Sequence, residues 1–163
     1  MTWDQELLLV GRALLATALG GLIGYERKSE QIAGHSLYAA GVRTYAAVAL
    51  GACIFSLVSA NLPGSGNADR IAAQIVSGIG FLGAGLIIQD RAHVKGLTSA
   101  ATLWATASVG MSIAYGLYIL GTLGAALIYL LLLAHRWSFW RKYVELPLPE
   151  ETPPADTPPG EPL

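Results

Sequence analysis

Charge and cysteine are both scarce in this chain. Lys, Arg, Asp and Glu make up 13% of its 163 residues, about half the share found in an ordinary soluble domain. Its single cysteine, Cys53, excludes an intrachain disulfide and any cysteine-based metal cluster. Cys53 lies inside an apolar run, where a thiol acts as a small apolar filler. The three histidines, His35, His93 and His135, are scattered. A cation site could therefore draw only on Glu26, Asp69, Asp90 and carbonyl groups, and no metal or other cofactor is expected. No nucleophile stands at a useful spacing from a general base, so no enzyme is expected either. The net charge of −1 carries no nucleic-acid signal.

What the chain has instead is apolar sequence: 53% of its residues are hydrophobic. Five runs stand out, Leu7–Tyr25, Thr44–Leu62, Ile71–Ile88, Leu97–Tyr115 and Leu117–Ala134. Each is close to the roughly 20 residues a bilayer-spanning helix needs. The expected fold is an all-α membrane protein, a polytopic bundle of about five transmembrane helices occupying residues 1–143. The first run is too long for a signal-peptide core, and Asp4 and Glu6 precede it instead of a basic segment. It is expected to be retained. The fourth run is the least apolar and its turn near Gly116 is short, so a re-entrant pair is the alternative for the last two.

Charge position sets the expected orientation. Arg27, Lys28, Arg43, Arg91, Lys95, Arg136, Arg141 and Lys142 are eight of the ten Lys and Arg, and all fall on one side. Arg70 borders the other side and Arg12 lies within the first span. The positive-inside rule then places the N-terminus outside and the C-terminus in the cytoplasm. From 144 to 163 the chain is Pro-rich and acidic, and it reads as a disordered cytoplasmic tail.

The densest information lies in the third run. Gly78, Gly80, Gly83 and Gly85 are too many for a helix that only anchors, and Gln74 needs a hydrogen-bond partner where water is absent. Gly78, Gly80 and Gly83 match a dinucleotide-binding spacing, but no strand precedes them, so they read as helix-packing positions. Ala16, Gly20 and Gly24 repeat small residues every four positions on the first run. Ala73 and Ser77, and Ala101 and Ala105, do the same on the third and fourth. Such faces pack helices within one chain or between protomers.

Thr98, Thr102 and Thr106 form a ladder on the fourth run, with Ser99, Ser108 and Ser112 nearby. They could line a polar path, bond across to Gln74, or each bond a carbonyl of their own helix. Ionisable groups at span ends are the remaining candidates. Glu26, Arg27 and Arg43 could form a buried cluster at the cytoplasmic mouth, and Asp69 and Arg70 mark the opposite end. Arg12 lies about 7–8 Å inside the first span, and is expected to snorkel outward toward Asp69.

These motifs resemble a known family. Gly21, Gly24, Glu26 and Arg27, then Gly41, Arg43 and Thr44, are similar to the opening motifs of the MgtC/SapB family of bacterial inner-membrane proteins. The segment from Asp69 and Arg70 through Gln74, Gly78, Gly80, Gly83 and Gly85 resembles that family's hallmark. Lys95, Thr98, Thr102, Trp104 and Thr106 resemble the next motif. The likeness covers about residues 7–134.

The resemblance implies a multi-pass inner-membrane domain linked to growth in low magnesium and to survival inside host cells. It implies a regulator of other membrane proteins, notably the ATP synthase and hence the proton gradient. A small transporter or channel for Mg²⁺ or another ion is the alternative. The carried-over candidates are Glu26, Arg27, Arg43, Asp69, Arg70, Gln74, Lys95, Thr98, Thr102 and Trp104. The expected partners are the bilayer, an ATP synthase subunit and a second copy of the chain. Two departures stand out: the 28–42 loop is longer than the family pattern, and a Pro-rich tail follows where many members carry a soluble C-terminal domain.

Overall fold

The apolar runs fold as five helices: α1 (Trp3–Ile32), α2 (Val42–Asn61), α3 (Ala68–Ala84), α4 (Leu97–Ala114) and α5 (Tyr118–Ala134). The computed structural model describes residues 2–32, 40–61, 68–90 and 93–134. Side chains at 28–32, 68, 69, 90 and 93 are outside that description, as is the expected tail at 144–163. Within α1 and α2, Trp3–Arg27 and Val42–Asn61 are long and apolar enough to cross a membrane. The apolar parts of α3 and α5 are shorter.

α2 sits between α1 and α4, and glycine allows the close approach on both sides. A Cβ on Gly20 would lie 2.6 Å from the Tyr45 carbonyl oxygen and 2.7 Å from the Ala49 Cβ. One on Gly24 would lie 2.7 Å from the Val42 Cα. From α4, a Cβ on Gly110 would overlap the carbonyl of the same Ala49. Only glycine permits these backbone-to-backbone contacts. The core grows around them from Ile23, Tyr45, Leu103 and Val109, and from Ala16, Cys53, Leu57 and Ile113.

The third run departs from expectation at its end. α3 stops at Ala84 rather than at Ile88, and Ile88 enters a short antiparallel hairpin. β1 (Ile88–Asp90) pairs with β2 (His93–Lys95), with Ile88 opposite Lys95 and Gln89 opposite Val94. β-branched residues favour the extended backbone there. Gly96 then turns the chain into α4 with φ +87°. A Cβ at that position would also overlap the Leu86 carbonyl. α1 departs in the other direction. It runs through Ile32, so five of the residues assigned to the first loop are helical. Residues 33–39 of that loop lie outside the described residues.

Candidate functional site

The charged end of α1 is buried in a polar cluster. Glu26 is 3% and Arg27 5% exposed. Neither is without a partner, as burial of a charge requires. Arg27 Nη2 donates to Ser99 Oγ at 2.6 Å, which ties α1 to the first turn of α4. Tyr45 of α2 is completely buried. Its hydroxyl lies 2.6 Å from Thr102 Oγ1 and donates to the Ser99 carbonyl at 3.3 Å. Three helices thus converge on Ser99. Gly24 makes this possible, because the Tyr45 side chain occupies the space its missing Cβ leaves.

The opposite end of α1 makes a second clamp on the same helix. Arg12 Nε donates to the Tyr118 hydroxyl at 2.8 Å, and Nη1 donates to the Ala114 carbonyl at 2.7 Å. Its guanidinium also lies 5.6 Å from the centre of the Tyr118 ring. Fifteen residues separate Arg12 from Arg27, and Ser99 from Ala114. Both intervals are about 22 Å of helix, so α1 and α4 are matched in length between the two clamps.

Several expectations change here. Arg12 bonds at the α4–α5 turn, and the Asp69 side chain expected beside it lies outside the described residues. Arg43 is exposed, apart from the buried pair it was expected to join. Arg70, Gln74, Lys95, Thr98 and Trp104 are exposed as well. Thr102 and Thr106 bond the carbonyls of Thr98 and Thr102, each at 2.8 Å, so these hydroxyls turn back on their own helix. Among the described residues no group of three or more His, Cys, Asp or Glu comes together.

The glycines of α3 divide. Gly83 is buried, with Ala100 in ordinary contact at 3.7 Å. Gly78 and Gly80 were read as helix-packing positions, yet a Cβ on either would meet nothing within 4 Å. Gly85 closes the last turn of α3 and touches only the carbonyls of that turn. Gln74, Gly78 and Phe81 therefore lie along one open face, Gly80 is exposed about 160° around the helix from Gly78, and Gln74 makes no hydrogen bond among the described residues. Beside this face a cavity of about 540 Å³ runs between α2 and α3, lined by Thr44, Val48, Phe55, Gln74, Gly78 and Leu82.

Sequence reasoning did not single out Tyr45, and it named Ser99 only as a neighbour of the threonine ladder. The available signal was the Gly20 and Gly24 spacing, which marks where α2 comes close. It does not say which α2 side chain fills the gap.

Comparison with known proteins places this arrangement. Residues 13–138 match the MgtC family. Protein MgtC of Brucella abortus (strain 2308) is 50% identical over 102 residues, 63% of this chain and 40% of that protein. Protein MgtC of Salmonella typhimurium (strain LT2) is 49% identical over 98 residues, 60% of this chain and 39% of that protein. An uncharacterized protein of Synechocystis is 41% identical over 128 residues, 78% of this chain and 51% of that protein. The chain thus spans about half or less of the length of these curated relatives. No solved structure matches it at a significant level.

Proposed function

This chain belongs to the MgtC family, and from that premise we propose that it modulates another membrane complex by binding it, without catalysing a reaction. The contact surface in this reading is the open face of α3 together with the α2–α3 cavity. The observation that carries it is that Gly78 and Gly80, about 160° apart around α3, leave both flanks of its exposed side open to a close-approaching backbone. Gln74 beside Gly78 offers a polar group that a partner helix can satisfy.

In this reading the protein is a multi-pass bacterial inner-membrane protein with its N-terminus outside. The family resemblance supports the ATP synthase, and through it the proton gradient, as the target during magnesium-limited growth or growth inside host cells. An ion pathway has less support. The Thr102 and Thr106 hydroxyls that would line one are directed to carbonyls of their own helix.

The test is ATP-driven proton pumping in inverted membrane vesicles with and without the protein. A drop that Gly80→Leu abolishes, while the variant stays folded, supports the reading. A parallel run energised by a respiratory substrate separates the ATP synthase from the gradient itself. Unchanged pumping with ATP removes the ATP synthase as target.

A further inference from the structure

Arg12 lies in the outer part of the bundle, and its contacts leave it electrically incomplete. Its two hydrogen bonds go to a neutral hydroxyl and a main-chain carbonyl. No carboxylate pairs with it among the described residues. Ala114 is the last residue of α4, where the helix end supplies roughly half a negative charge. The Tyr118 ring, 5.6 Å from the guanidinium, adds a cation–π contact, and no described carboxylate supplies the rest.

Its donors are also only partly used. A guanidinium carries five N–H groups, and the two on Nη2 have no acceptor among the described residues. The Tyr118 hydroxyl accepts from Nε, and its own proton likewise has no described acceptor. Gly116 lies beside Nη2, where a side-chain Cβ would sit 3.5 Å away. Arg12, Gly116 and Tyr118 therefore form a small half-exposed cradle that presents N–H and O–H donors and a net positive charge.

Depth selects the anion. The clamps at Arg12 and Arg27 are about 22 Å apart along α1, against a hydrocarbon core of roughly 30 Å. With Arg27 at one face of the core, Arg12 lies about 8 Å inside the other, a depth from which an arginine side chain snorkels toward the headgroups. The anion abundant there is a phospholipid phosphate, and arginine presents a planar fork that matches phosphate. We infer that Arg12 and Tyr118 bind the phosphate of a membrane phospholipid at the α4–α5 turn. This inference rests on the membrane-spanning reading given above.

Native mass spectrometry of the full chain in detergent tests it, with dioleoylphosphatidylglycerol and dioleoylglycerol as probes. These share acyl chains and differ in the phosphate-bearing headgroup. The phospholipid is expected to be retained at least about tenfold better, and Arg12→Gln to remove about tenfold of that retention. Arg12→Lys should keep most of it. Tyr118→Phe should weaken it, and decides the matter if Arg12→Gln fails to fold by circular dichroism. Equal retention of the two lipids, or unchanged retention in folded Arg12→Gln, overturns the site. Displacement by inorganic phosphate overturns the lipid in favour of a free anion. Alkaline carbonate washing of membranes separates the two levels: a chain that washes out overturns the membrane reading, and one that stays but retains no phospholipid overturns the site alone.

Discussion

Arg27 and Ser99 stand 72 positions apart in the chain and 2.6 Å apart in the fold. Their bond is buried, so removing one partner exposes the other to the full desolvation penalty. Ser99→Ala is expected to destabilise by about 1–3 kcal/mol. Arg27→Met should cost more, because it also strips the cluster of its cation. The two effects should fall short of additivity in the double variant. Thermal unfolding in detergent, followed by helical circular dichroism, checks all three.

Tyr45→Phe should be milder, at about 1 kcal/mol. The ring remains to fill the space beside Gly24. Thr102 keeps its bond to the Thr98 carbonyl at 2.8 Å when the phenol is lost. A loss as large as that of Arg27→Met would mean that the phenol, not the arginine, organises the three helices. The same unfolding measurement distinguishes these outcomes.

Glycine substitutions should sort by place. Gly20→Ala and Gly110→Ala push backbone against backbone and should destabilise by about 1–3 kcal/mol each. Gly80→Ala meets nothing within 4 Å and should leave unfolding unchanged. If Gly80→Leu also unfolds normally but no longer lowers proton pumping, the open face of α3 is a contact surface. If Gly80→Leu unfolds early, α3 packs more tightly than described here.

Gly96 and Gly116 share a left-handed backbone, with φ of +87° and +79°. They differ in surroundings. A Cβ on Gly96 overlaps the Leu86 carbonyl, whereas one on Gly116 makes only ordinary contact with Arg12. Gly116→Ala should cost about 1–2 kcal/mol from conformation alone. Gly96→Ala should cost distinctly more and loosen the hairpin, seen as faster amide exchange in residues 88–95.

Helix number was legible because long apolar runs have few alternatives once they are near membrane length. The five runs and the five helices correspond one to one, except that Ile88 exchanged helix for hairpin and α1 continues past its run through Ile32. Close approach at Gly20 and Gly24 was legible from their spacing. Their partners were not, because Tyr45 and Ala49 become neighbours only through the antiparallel return of α2. Gly78 and Gly80 were read as packing positions like Gly20 and Gly24, yet they face open space. Composition marks a surface that admits a backbone; it does not say whose. The Arg12 to Ala114 bond was hidden for a related reason, since a main-chain carbonyl has no letter in the sequence.

Both arginine clamps reach from the first helix to the fourth, and this orders the making of the protein. During synthesis α1 and α2 emerge early and can dock through Gly20 and Gly24. Ser99 and Ala114 are translated only after α3 and the hairpin have been made. Until then Arg12 and Arg27 lack the α4 groups that they clamp, and α2 alone sets the position of α1 along its axis. Arrival of α4 fixes that position at two points at once, so the ribosome must reach the fourth helix before the first one is locked.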